Sequence, residues 1–488
     1  MDRRAFLKLS AAFGVGAAAV YGSGHLKFAN AFASPQALAN SSGVMLDATV
    51  DPTAPMPEQL LVPHLLRRAG FGGGPAEQAQ YETMGFDAAV QYLLNYSSID
   101  NSKLDAITPN IRTSYSGTVP KGQNEGNNLA TWWLNRMVQT PRPLEEKMTL
   151  FWHNHFATAI SKVQNGYLMY QQNQMLRNNA LGNFSDMMTD ITWDGAMLIW
   201  LDGISNIESN PNQNYAREVM EVFTTGRGPY TQNDVIEAAN AFTGFSINSL
   251  GQGVWNQKRH YNQPGTFMGV TQAWTPQEIL DVLVPHPATA ANLSTELFEF
   301  FAYPNPSQDT INNLAAVYTS SDYSIKALVE AILTSDEFQS NQAYLANVKS
   351  PTEYVVGGLR ALNATVTNSE LINTTSNQGQ LLFDPPNVFG WPIGMSWINT
   401  GSIMERFNFP VSIQTTQQNP ASGLNPIEYF GPGTSNGVQD IANILFPDGM
   451  PPEYLSVIQN ATSGYTNTTT MAKEAVRLTM ATPFYNLN

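Results

Sequence analysis

Apolar residues recur along most of this chain with the three-to-four-residue spacing of one helical face and seldom alternate with the period of a strand. Runs of that kind predict helices over Leu60–Arg68, Phe86–Tyr96, Leu129–Gln139, Leu144–Ala159, Met169–Asn179, Ala196–Asp202, Tyr215–Thr224, Asp234–Phe242, Ile325–Phe338 and Met471–Met480. The stretch from Phe245 to Gly269, punctuated by Gly, Asn and Gln, reads instead as one short hairpin. Thr231-Gln232-Asn233-Asp234 ahead of Val235 has the form of a capping box, in which side chains answer the unpaired amides of a helix start. Asp194 is placed to cap a helix that Gly203 ends. The expected fold is mainly α: a large helical domain with long irregular loops and at most a small β hairpin.

The N-terminus breaks this pattern. Asp2-Arg3-Arg4-Ala5-Phe6-Leu7-Lys8 precedes an apolar run from Leu9 to about Tyr21, and Ala31-Phe32-Ala33 follows as an A-x-A cleavage site. That is the layout of a twin-arginine signal peptide over residues 1–33, and its apolar run is short for a membrane span. Residues 34–60, rich in Ala, Ser and Pro, read as a linker. Residues 61–410 then form the helical core, and 411–488 a helical extension of the same domain. The expected location is periplasmic or extracellular, with no transmembrane anchor after cleavage.

Composition narrows the chemistry. Lys plus Arg number 24 against 39 Asp plus Glu, a formal charge of −15. Cleavage after Ala33 removes four basic residues and one acidic residue, taking the charge near −18. Such a surface repels phosphate backbones, so nucleic-acid binding driven by net charge is excluded. Cysteine is absent, which removes disulfides, thiolate metal sites and cysteine nucleophiles.

Two segments stand out as chemistry-bearing. Leu144-Glu-Glu-Lys-Met-Thr-Leu-Phe-Trp-His-Asn-His-Phe156 carries His153 and His155, two of only six histidines. Imidazole is the commonest transition-metal ligand, yet residues two apart on a helix point in opposite directions. His155 shares a face with Leu144, Met148, Phe151 and Trp152, whereas His153 falls near Glu146. Two readings therefore stand: shared ligation where the helix ends near Asn154, or hydrogen-bonded core histidines. In the second segment, Asn210 to Gly226, Asn214, Glu218 and Glu221 form one stripe, and Arg217 is spaced to pair with Glu221. Two carboxylates at i, i+3 can hold a metal or act as acid and base, although a plain amphipathic helix has the same pattern. Asp202 is either a buried acid or a last-turn residue. Pro385-Pro386-Asn387-Val388-Phe389-Gly390-Trp391-Pro392 must be an irregular, rigid loop.

These blocks, with His64-Leu-Leu-Arg-Arg-Ala-Gly-Phe-Gly72, Trp193 to Asp202, Asp234 to Phe245 and Gly379 to Pro392, resemble the bacterial domain-of-unknown-function 1800 (DUF1800) family. The resemblance spans roughly residues 61–486. It implies an exported protein, often carried by the twin-arginine route, with a sulfatase-like exported protein encoded nearby as a candidate partner. It also implies charged residues at four positions that are uncharged here: Gln213, Asn240, Tyr261 and Phe389. Two expectations follow. One is a metal-dependent hydrolase or oxidoreductase with one divalent metal on His153, His155, Glu218 and Glu221, and Glu146 or Asp202 as catalytic acid or base. The other is a cofactor-free envelope accessory protein working with the sulfatase-like partner.

Overall fold

The computed structural model describes residues 51–413, 425–431, 433 and 436–488; the expected signal peptide 1–33 and residues 34–50 of the expected linker lie outside them. Among the described residues, 24 α-helices stand against two two-stranded antiparallel sheets, so the fold is mainly α. No helix among them is long and apolar enough to cross a membrane.

Helices begin where side chains can answer free amides. Asn124, Asn165, Asn183, Asp194, Asn212 and Thr231 each accept an amide of the first turn of the helix that follows. The Thr231–Asp234 capping box is present in both directions. The single expected hairpin is two: Phe245–Ile247 pairs with Gly253–Trp255, and Gly265–Phe267 pairs with Val270–Gln272. A 3₁₀ turn over Gln257–Arg259, capped by Asn256, separates them. Within the expected helical extension 411–488, Pro426–Phe430 is a helix and another starts at Gly437; 414–424 lie outside the described residues. Helices Pro287–Phe301 and Pro351–Ala361, absent from the periodicity reading, both start with proline at their first position, where its missing N–H costs nothing.

Helix Pro143–His155 organises the interior. Every residue in it except Asn154 is buried. Leu144, Met148, Phe151 and Trp152 join a core with Phe156, Phe184, Phe223 and Tyr318. Leu150 belongs to a second core with Trp133, Tyr354, Phe383, Trp391 and Tyr485. This helix thus runs between two apolar cores, and its polar side chains must find partners inside the protein. Lys147 finds Glu353, whose carboxyl is held at about 2 by Lys147 and Arg68 against the opposing effect of burial. The end of the expected linker is tied down as well: Met56 N donates to Gln339 O at 2.8 Å, and Asn341 N to Ala54 O at 3.0 Å.

Candidate functional site

The two histidines leave the central helix toward different cores. His153 is 1% exposed, and its ring lies 5.1 Å from those of Trp133 and Phe383 and 5.5 Å from that of Trp391. Its Nε2 accepts the Phe383 amide at 3.0 Å, so that lone pair is engaged. Burial pushes its pKa down to about 3, which keeps the ring neutral. His155 packs among Phe151, Trp152, Phe156 and Phe223. Its Nδ1 lies 2.8 Å from Glu296 Oε2 and its Nε2 lies 3.2 Å from the Phe223 carbonyl. Both nitrogens of His155 face acceptors. The opposed geometry expected for residues two apart is what the structure has, and the helix does not distort to bring the rings together.

Glu146 is fully buried and saturated. Its carboxylate is paired with Arg136, accepts from Arg177 Nε at 2.8 Å and Nη2 at 3.0 Å, and accepts from Trp133 Nε1 at 2.7 Å. Burial alone would raise its pKa; Arg177 and Arg136 outweigh that and hold it below the usual carboxylate range. None of these partners was foreseeable from spacing, because Arg136 and Arg177 come from separate helices on either side of the 143–155 segment. Glu146 is an internal counter-ion, with no oxygen left for a substrate.

The remaining three candidates sit at the surface. Asp202, in a left-handed conformation at the end of its helix, meets Lys162 Nζ at 3.0 Å and accepts from Asn214 Nδ2 at 2.9 Å. Asn214, Glu218 and Glu221 follow one stripe of helix Gln213–Glu221 as the spacing predicted. The expected Arg217–Glu221 pair is not formed. Arg217 donates instead to Gln213 and Gln232, at 3.3 and 3.1 Å. The helix stops at Glu221, and the turn through Gly226 brings Arg227 Nε to Glu221 Oε1 at 2.5 Å, with Tyr230 Oη donating to Oε2 at 3.2 Å. Glu218 differs from both neighbours. It is partly buried, its Oε2 is shut off from solvent without a hydrogen-bond partner, and burial together with nearby Glu221 raises its pKa.

Phe389 stands beside the arginine that pairs with Glu221: it is 57% exposed, and the Arg227 guanidinium lies 5.8 Å from its ring centre. Of the other positions that the resemblance marked as altered, Gln213 accepts from Gln232 at 2.9 Å, Asn240 from the same helix, Gln232–Ala241, donates to Glu237 at 3.4 Å, and Tyr261 N donates to Thr243 Oγ1 at 2.7 Å. Phe389 thus neighbours Arg227, whereas the other three contact the Gln232–Ala241 helix or the turn that follows it.

The six candidates are therefore three kinds of group: two core histidines, one core counter-ion, and a surface set of Asp202, Glu218 and Glu221. Among the described residues no three His, Asp or Glu side chains converge as a metal-binding group. No curated protein and no solved structure matches the chain. Residues 64–487 match the family described as Protein of unknown function (DUF1800), and the chain belongs to that family.

Proposed function

We propose that this chain is an exported acid–base hydrolase working at the Glu218–Glu221 pair. Glu218 supplies the proton and Glu221, ion-paired with Arg227, is the partner carboxylate. The observation that carries this reading is the Glu218 carboxyl itself: an oxygen buried without a partner, on a group whose raised pKa favours its holding a proton at the surface of the fold. Two carboxyls of like chemistry in unlike environments are the usual arrangement for dividing acid and base roles. The twin-arginine pattern at Arg3-Arg4 supports action in the periplasm or outside the cell.

The test is turnover of a panel of chromogenic esters, glycosides and amides by the mature chain and by Glu218→Gln. The proposal expects hydrolysis of one class, lost at least a hundredfold in the variant, with the fold intact by circular dichroism; general acid–base groups contribute about 10²–10⁴-fold. Unchanged turnover in the variant, or none in the wild type across the panel, overturns it. Elemental analysis distinguishes a proton from a cation at Glu218. A stoichiometric divalent metal that disappears in Glu218→Gln and Glu221→Gln, but not in His155→Phe, replaces acid–base work by metal chemistry on the two carboxylates.

One observation favours the accessory reading. Phe389 is an exposed aromatic where the resemblance implies a lysine, as an interaction surface would have it. Co-purification of a sulfatase-like protein from the native host, abolished by Phe389→Lys, supports that role.

A further inference from the structure

A depression of about 320 Å³ opens where the start of helix Glu125–Gln139, the short helix Ile160–Val163 and the segment 381–384 meet. Its floor includes Ile160, Leu381 and Leu382, and its polar lining is Asn124, Asn127, Ser161, Gln164 and Asp384. That volume sits at the lower end of the ~300–1,000 Å³ typical of small-molecule sites.

The walls are fixed independently of any ligand. Ile160 N donates to Phe383 O at 2.8 Å, and Ser161 N to Asp384 Oδ1 at 3.2 Å. Phe383 N is bound by His153, so this wall is anchored in the second core. Asn124 Oδ1 is used as the cap of its helix, accepting from Asn127 N at 3.1 Å. Gly126 stands close to Ile160, and a Cβ there would lie 3.2 Å from its Cγ2, so the glycine keeps the floor open. What remains for a ligand is the side-chain amide of Asn127, the Asn124 Nδ2, the Ser161 hydroxyl and the second oxygen of Asp384. No hydrogen bond to another described residue engages these groups.

The chemistry of the lining is selective. It contains no cation, and its one charge is a carboxylate, so anions are disfavoured. Amide and hydroxyl groups offering both donors and acceptors above an apolar floor match a compact molecule that itself carries both, together with C–H faces. We infer that this depression is a binding site for a neutral polyhydroxylated ligand, a monosaccharide or the end residue of a glycan. The site is separate from Glu218 and Glu221 in its residues, and the inference does not depend on acid–base work there.

The experiment is saturation-transfer NMR on the mature chain with neutral mono- and disaccharides at millimolar concentration, alongside an alkylamine and a sugar phosphate. The expected result is transfer to ring protons of at least one neutral sugar and not to the phosphate. Ser161→Trp fills the depression from an exposed position and abolishes that transfer; Asn127→Ala, at the exposed helix start, weakens binding about tenfold, the loss of one hydrogen bond of ~1.4 kcal/mol. Either variant suffices if the other fails to fold. Absence of transfer to every neutral sugar, transfer to the amine or phosphate alone, or undiminished transfer in a folded variant overturns the inference. Turnover of the chromogenic panel is read separately, so failure here leaves the hydrolase proposal to its own test.

Discussion

Glu146 and Glu218 are both helical glutamates, and the protein treats them in opposite ways. Glu146 lies at the centre of the fold with two arginines and an indole N–H on its oxygens. Glu218 lies near the surface with one oxygen sealed off and nothing bonded to it. The pKa of the deeper one is lowered and that of the shallower one is raised. Depth alone therefore does not set the state of a carboxyl; the charges and hydrogen-bond donors brought to it decide the direction. A saturated acid is part of the scaffold, and the unsaturated one is the group on which the proposed acid–base role rests.

Several substitutions break or sharpen this contrast. Glu146→Ala has the largest expected effect. It removes the shared counter-ion of two guanidiniums that are both 4% exposed or less at the side chain, leaving Arg177 with Gln174 and Arg136 with Asp105 at 2.6 Å, and should lower unfolding free energy by ~3–5 kcal/mol. A denaturation midpoint shifted by less than ~1 kcal/mol would erase the distinction. Because the Glu146 pKa is depressed in the fold, its stabilisation is present above the ordinary ~4.3 of an unfolded glutamate and fades as pH falls through the lower folded value; the gap between wild type and variant should close in strong acid.

His153→Ala comes next. It leaves the Phe383 amide without its acceptor and a cavity beside Trp133 and Trp391, at about 2–4 kcal/mol in chemical denaturation. With a folded pKa of about 3 against ~6.5 unfolded, the neutral histidine's contribution is present above ~6.5 and erodes toward about 3 as the pH drops. Thr231→Ala removes one arm of a local capping box and should cost ~1 kcal/mol, a yardstick for an ordinary surface feature. Glu218→Gln should change stability least, by ~0.5 kcal/mol or less, and in the stabilising direction at neutral pH. The raised pKa of Glu218 means that its carboxylate form opposes folding above that pKa, so the gain vanishes below ~4.3, where wild-type Glu218 is protonated in both states. A loss on Glu218→Gln would make Glu218 a second structural acid.

Much of the architecture was legible because amphipathic stripes report their own burial. Helix Gln213–Glu221 and helix Ile325–Leu333 follow their apolar spacing, and the two-residue offset of His153 and His155 correctly placed them on opposite faces. Local caps such as Asp194 and Thr231 were equally readable. What the spacing could not supply was pairing through space. Arg136 and Arg177 meet Glu146, Glu296 meets His155, and Arg227 displaces Arg217 at Glu221, each through tertiary packing or a turn whose direction is set by backbone angles. Helix Pro351–Ala361 was missed because Gly357 and Gly358 interrupt its pattern; there, a Cβ at Gly357 would press on the backbone of Phe71 and one at Gly358 on Met480 and Tyr485.

The loop that carries Phe389 is clamped on both sides of that residue. Phe383 is held through its N–H by His153 and through its carbonyl by Ile160, and Trp391 N donates to Asn154 Oδ1 at 2.7 Å. Gly390, with φ +73, lies so close to Asn154 that any side chain there would collide with it, while Phe389 N is fixed by Asn387 Oδ1 at 2.9 Å. The backbone of this loop is thus set by its neighbours and not by the side chain at 389, which faces solvent. Mutation can exchange aromatic for cationic character at that one position and leave the surrounding shape intact. Position 389 is a dial on an otherwise fixed instrument, where the surface chemistry can change without first solving a new folding problem.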